Sequence, residues 1–186
     1  MLALYDRLAG GLSRLAPALL PPLARATFAA VLLVYFWSSA LTKIGPGPLG
    51  ILRPGDGAYI QIFPRAFEAA GYDSSQLGLF HWAVVTAGTL AEFLLPLLIV
   101  IGLFTRLAAL GMIGFVVVQS LTDVLGHGVG GDVLGRWFDA TSGALVLDQR
   151  TLWVFLLASL AVLGGGPLSV DRFLARRPGT SFPQNP

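Results

Sequence analysis

Cysteine is absent from the chain. That excludes disulfides, thiolate chemistry, cysteine-ligated zinc and iron–sulfur clusters. Charge is scarce too. Only 12% of the 186 residues are Asp, Glu, Lys or Arg and 55% are hydrophobic, whereas a soluble domain carries about 25% charged residues. Soft metal ligands are few: two histidines and two methionines, one of them the initiator. Strands are not indicated, so the glycine-rich GHGVGG (126–131) lacks the strand–turn–helix setting that a phosphate loop needs. No nucleophile–base pair stands out, which argues against a self-contained hydrolase. The net charge of +2 is spread over the segments between apolar runs, so no nucleic-acid partner is expected. No side chain present carries electrons at ordinary potentials, so a redox role would need a borrowed cofactor.

What the chain does have is long apolar runs. At about 1.5 Å per residue, some 20 apolar residues cross the ~30 Å hydrocarbon layer. The expected fold is an all-α integral membrane protein, a four-transmembrane-helix bundle with interfacial helices. Residues 1–22 read as an amphipathic helix lying in the interface, with Arg7 and Arg14 two turns apart on one face and Pro17, Pro21 and Pro22 ending it. Residues 23–172 read as the membrane domain, with helices at about 23–44, 78–104, 107–125 and 150–168 and with outer loops at 45–77 and 126–149. Within the first loop, residues 58–71 are too short to span and are interrupted by Pro64, so they should lie on the surface or dip back against the bundle. Residues 173–186 read as a flexible tail. Arg7, Arg14, Arg25, Arg106, Arg172, Arg176 and Arg177 fall in short segments on one side. Lys43, Arg53, Arg65, Arg136 and Arg150, diluted by acids, fall on the other. The positive-inside rule therefore predicts a multi-pass protein of the bacterial inner membrane with both termini cytoplasmic.

Glu92 is the conspicuous residue. It sits in the middle of the second apolar run, where a carboxylate costs roughly 2.5–3.5 kcal/mol on insertion scales. Thr86, Thr89 and Glu92 recur every three residues and should look inward. Depth counting puts Glu92 level with Tyr35, Ser38 and Ser39 of the first helix, with Gln119 of the third about one turn further out. The functional reading is a proton-accepting group beside a quinone or a transported solute. The bland one is a hydrogen-bonded cluster that fixes helix packing. Lys43 should snorkel to water at the end of its helix, and Pro96 should kink the second helix. His81, Asp123 and His127 fall at one membrane surface and could hold a divalent zinc or copper ion or relay protons; otherwise they are interfacial side chains bonded to loop backbone. Haem is disfavoured, because both histidines lie at the membrane edge without a C-x-x-C-H motif. Trp82, Trp137, Phe138 and Trp153 read as an interfacial aromatic belt, with a quinone-stacking role as the rival. Arg136, Asp139, Asp148 and Arg150 read as ion pairs holding the 126–149 loop closed, or as a docking surface for a periplasmic partner.

Several stretches resemble the DoxX family of small bacterial membrane proteins: Arg25 opening the first helix, Lys43 closing it, the Ala91-Glu92 pair, GLFTRLAAL (102–110) and GGGPLSVDRFL (164–174). The likeness covers residues 23–174. It implies a membrane four-helix bundle and a membrane subunit of a quinone-linked redox or oxidative- or metal-stress system. Quinone is then the cofactor, with Glu92 as the catalytic group and Tyr35, Ser39, Lys43, Trp82, Thr89 and Gln119 around the head group. Two other classes stay open. One is a small solute or proton transport component, for which four helices are few, so that it would act as a homo-oligomer. The other is a non-catalytic membrane anchor for a periplasmic or membrane protein partner.

Overall fold

The computed structural model describes residues 1–175, and every regular element among them is helical. Four helices are long and apolar enough to cross a membrane: α1 Leu2–Leu41, α4 Leu79–Ile101, α5 Thr105–Gly126 and α7 Leu145–Leu163. Between them lie short pieces: α2 Asp56–Ile62, α3 Pro64–Ala69, α6 Gly131–Leu134 and, after the bundle, α8 Val170–Ala175. This is the expected all-α membrane bundle. One end carries the tight α4–α5 link and is called the link end; the opposite end carries the two long connections and is called the loop end.

The bundle core is built by Phe28, Leu32 and Phe36 of α1, Ile99 of α4, Ala108, Ala109, Met112 and Val116 of α5, and Trp153, Leu157 and Leu160 of α7. The two alanines let α5 and α7 approach closely, as small residues do in membrane bundles. A lipid tail is as apolar as this core, so polar contacts and shape, more than burial from water, fix the arrangement.

The expected break at Pro17–Pro22 does not occur. Leu2–Phe28 is one continuous helix, with all three prolines inside it, so the 1–22 piece is not a separate element. Each proline removes one backbone bond, but here the helix is held from outside. Pro21 is buried against Gly166, where an added Cβ would lie 2.8 Å from the Pro21 Cβ. The helix widens into a π turn at Ala29–Leu33 before Val34–Leu41 completes it. The fourth span also departs from expectation. It starts earlier, in a π turn at Leu145–Gln149, and stops at Gly164 (φ 80°) instead of reaching 168. Of the expected tail, Phe173–Ala175 are helical, and 176–186, including Arg176 and Arg177, lie outside the described residues.

α1 ends while the bundle is still deep. Lys43 meets Glu92, and Glu92 is thirteen residues past Leu79, about 20 Å from the loop end of α4. The chain then climbs beside α4 through an irregular stretch and the paired short helices α2 and α3. Trp82 Nε1 donates to the Leu52 carbonyl (3.0 Å), Gln61 Nε2 to Thr42 Oγ1 (3.1 Å), and Ala58, Tyr59 and Phe67 pack on Val85. The 45–77 segment thus dips back against the bundle, broken at Phe63 before Pro64 as its sequence indicated.

Candidate functional site

Polar clusters tie the helices together at three levels: at the link end, in the middle, and at the loop end, where buried Arg150 of α7 reaches Ser120 and Asp123 of α5. At the link end Gly102 ends α4 in the left-handed conformation (φ 73°), and Thr105 starts α5. Asp171 closes the N-terminus of α5. Its Oδ1 accepts from Phe104 N (2.7 Å), and its Oδ2 from Thr105 N (3.0 Å) and Thr105 Oγ1 (2.8 Å). Burial alone would raise the Asp171 carboxyl, but the Thr105 and Phe104 donors and the charge of Arg25 hold it below the usual range. Arg25 closes the C-terminus of α4. Its guanidinium donates to the carbonyls of Ile99 (3.1 Å) and Val100 (2.6 Å), and across to Gly165 (3.0 Å) and Leu168 (2.7 Å). The fit leaves no room for a Cβ at Gly102, which would sit 2.6 Å from Ser169 Cβ and 2.8 Å from Arg25 Cζ. Arg25, the GLFTR link and the GGGPLSVDR segment therefore form one clasp, and its groups are spent on backbone.

The second cluster surrounds Glu92. Lys43 does not snorkel to water. It turns inward, 4% exposed, and its Nζ lies 2.9 Å from Glu92 Oε2 and 3.1 Å from Oε1. Lys43 Nζ also reaches Ser39 Oγ (2.7 Å) and the Ser39 carbonyl (3.1 Å), while Ser39 Oγ donates to Glu92 Oε1 (3.1 Å). Glu92 is 3% exposed, so this is a buried, hydrogen-bonded ion pair in a membrane helix. α4 runs through Pro96, which has no N–H to give the Glu92 carbonyl. The backbone just beyond is tied to α1 by Trp37 Nε1 donating to the Phe93 carbonyl (3.2 Å).

The pair forms part of the wall of a cavity of about 480 Å³ between α4 and α5. Ser39, Lys43 and Glu92 give it a polar floor, and Gln61, Gln119, Thr122, Asp123 and His127 a polar upper rim. Ile62, Val84, Leu95, Phe115 and Val118 make the sides apolar. Gly88 and Gly114 widen it, and a Cβ at Gly114 would meet nothing within 4 Å.

The other candidates divide. Gln119 lines the cavity and donates to Tyr35 OH (3.1 Å), while its Oε1 is buried without a partner. Tyr35 itself packs on Phe36 and Trp153 beside the cavity. Thr86 and Thr89 face inward as their spacing indicated, 6% and 1% exposed, but Thr89 Oγ1 donates to the Val85 carbonyl (2.8 Å), and neither lines the cavity. Trp82 is spent on Leu52, away from the pair.

The proposed metal trio is not assembled, and no group of three His, Cys, Asp or Glu fit for a metal exists among the described residues. Asp123 is taken by Arg150 (2.6 Å), whose other arm donates to Ser120 Oγ (3.0 Å). His127 Nε2 lies 3.0 Å from the Gln61 carbonyl, and His81 is wedged between Phe63 and Phe80. Of the four loop residues only Arg150 is in an ion pair among the described residues, and its bond to Asp123 ties the two ends of the 126–149 loop, while Arg136, Asp139 and Asp148 form none. Asp148 accepts from Ala144 N, Asp139 accepts from Thr141, and Trp137 Nε1 donates to the Leu147 carbonyl. Trp153 leaves the aromatic belt for the core, 9% exposed.

Sequence reading found Glu92, Ser39, Gln119 and the clasp motifs. It missed Lys43 as the partner of Glu92. The available signal was the Ser39-to-Lys43 spacing of four, which puts the ammonium on the face already assigned to Glu92.

A family model described as DoxX matches residues 23–128, more than half of the chain. No curated protein and no solved structure matches.

Proposed function

The chain belongs to the DoxX family of membrane proteins, and from that premise we propose that it is the quinone-binding membrane subunit of a redox system, with the head group held in the cavity beside Lys43 and Glu92. The observation that supports this most is a buried donor–acceptor pair on the wall of a cavity whose sides are apolar. A quinone head group is a flat, apolar ring with an oxygen at each end. Lys43 Nζ, by turning one N–H away from Ser39, is a donor for an oxidised oxygen, and Glu92 is an acceptor for a hydroxyl. Phe115, Val118 and Leu95 offer apolar contact, and Gly114 leaves room for the ring. The unpartnered Gln119 Oε1 is a second acceptor along the same wall. The residues present thus fit the group.

When bound, the quinone supplies the two-electron chemistry that no side chain of this protein can. The protein's own part is to bind and to handle protons. Glu92 takes or gives a proton at a carboxylate oxygen, Lys43 neutralises the ionised carboxylate at depth, and Ser39 fixes the orientation of both. The electrons would be exchanged with a partner protein that brings its own cofactor. On the positive-inside count we place the link end in the cytoplasm of a bacterial inner membrane and the two long connections outside.

The test is mass spectrometry of protein purified in mild detergent from quinone-containing membranes. A stoichiometric quinone that is lost in Glu92→Gln and in Gly114→Leu, with folding intact, is expected. Lipid alone, or quinone unaffected by both changes, would refute the reading.

A further inference from the structure

The cavity beside the ion pair has a direction. Its lining runs along α4 from Leu95 up to Val84 and along α5 from Gly111 up to Asp123 and His127. α4 begins, and α5 ends, at the loop end, so the cavity occupies the loop-end half of the bundle. Polar groups recur along it at intervals between the apolar sides. Glu92 and Lys43 lie at mid-depth, Gln119 follows more than a turn further out, then Asp123, and the exposed His127 stands at the mouth. The buried Gln119 Oε1 without a protein partner is the kind of group that an ordered water satisfies.

The cavity narrows toward the link end, while exposed Ala87, Gly111, Gly114 and Val118 leave it open along the outer face of the bundle. A Cβ at Gly111 would lie 3.2 Å from the Leu95 side chain. Beneath come Ile99, Ala108, Ala109 and Met112, exposed by 0–2%. The Arg25 clasp then seals that end. Irregular or polar lining at membrane depth is tolerated where it faces a water-filled space.

We propose that this cavity is a water-filled half-channel joining the Lys43–Glu92 pair to the loop-end solution and to that solution alone. Protons therefore reach and leave Glu92 from one side of the membrane. The titratable and charged groups along the path are Lys43 and Glu92 at the floor, Asp123 with Arg150 bonded to it, and His127 at the mouth. Only the proton clause rests on the functional reading above; water access is independent of any quinone.

The absence of cysteine makes the test clean. Single cysteines are placed at Ala87 and Ala91 beside the cavity, at Ala108 in the sealed core, at Ser142 to report the loop end and at Gly10 to report the link end. A charged, membrane-impermeant methanethiosulfonate is added to sealed proteoliposomes of one orientation. Ala87→Cys and Ala91→Cys are expected to react from the same side as Ser142→Cys and never from the side of Gly10→Cys, with Ala108→Cys inert. Reaction from both sides, or with a lipid-soluble maleimide only, would overturn the half-channel in favour of a through-path or a lipid-filled cleft. In the same vesicles, an acid step on the loop side should shift an infrared carboxylate band that Glu92→Gln removes, and the step on the other side should not. No shift from either side would refute the proton clause. Loss of bound quinone with the labelling pattern intact would refute the quinone reading alone.

Discussion

Removing Lys43 should hurt more than removing both members of its pair. Lys43 Nζ and Glu92 Oε2 are 2.9 Å apart, which at an effective dielectric near 20 is an attraction of about 6 kcal/mol. Desolvation takes back several kcal/mol per ion, so the pair as a whole contributes little net stability. Lys43→Met forfeits the attraction and leaves the carboxylate buried, a loss of about 3–5 kcal/mol. The loss has a ceiling, because the lone acid can take up a proton. For a carboxyl of ordinary affinity that costs about 3.7 kcal/mol at pH 7 and falls by about 1.4 kcal/mol per pH unit toward pH 5. Glu92→Leu should cost a similar amount by stranding the ammonium. The double variant strands nothing and should lie within about 2 kcal/mol of the parent. The coupling from the cycle is then at least about 4 kcal/mol. The assay is equilibrium unfolding in mixed micelles followed by tryptophan fluorescence, since Trp37 is bonded to the backbone beside Glu92. Additive single effects, or a Lys43→Met penalty independent of pH between 7 and 5, would refute the reasoning.

Three further outcomes can be checked in the same unfolding assay. Arg25→Lys should lower stability by about 2–4 kcal/mol, because a point ammonium cannot fork to the Ile99 and Val100 carbonyls and still reach Gly165 and Leu168. Gly102→Ala should cost at least about 2 kcal/mol, from a positive φ and the clash with Ser169 and Arg25, while Gly114→Leu, in open space, should be neutral or stabilising by up to about 1 kcal/mol. Asp171 contributes stability that is present above the ordinary carboxyl range and is lost as pH falls below about 4 through its depressed folded value. Asp171→Asn should therefore flatten the acid limb of the stability profile and leave the neutral-to-alkaline limb parallel to the parent.

The bundle was legible because its signals are local. Apolar run length marks the spans, Gly102 marks the end of α4, and the three-residue recurrence of Thr86, Thr89 and Glu92 marks an inward face. The clasp was visible as motifs but not as contacts. Arg25 is 74 residues from Ile99 and 140 from Gly165, and no periodicity links them. Lys43 was misread for a related reason. A lysine at a helix end snorkels when that end is at the interface, but α1 stops at mid-depth, a fact set by the re-entrant 45–77 segment and not by α1 itself. The prolines misled in the opposite direction: Pro21 breaks nothing because Gly166 packs on it. Asp123 and His127 were rightly placed at one end, but the nearby Arg150 claims Asp123.

The depth of Lys43 bears on how the protein is made. Emerging from the ribosome, α1 carries a basic residue that, in the final structure, is not at a water interface. Its neutralising acid is synthesised 49 residues later. Either charge alone at mid-depth costs a few kcal/mol in lipid. The first span should therefore enter the bilayer shallowly, with Lys43 still in water, and settle only when α4 arrives. The two would then descend as one neutral hairpin, drawing the intervening 45–77 segment in behind them.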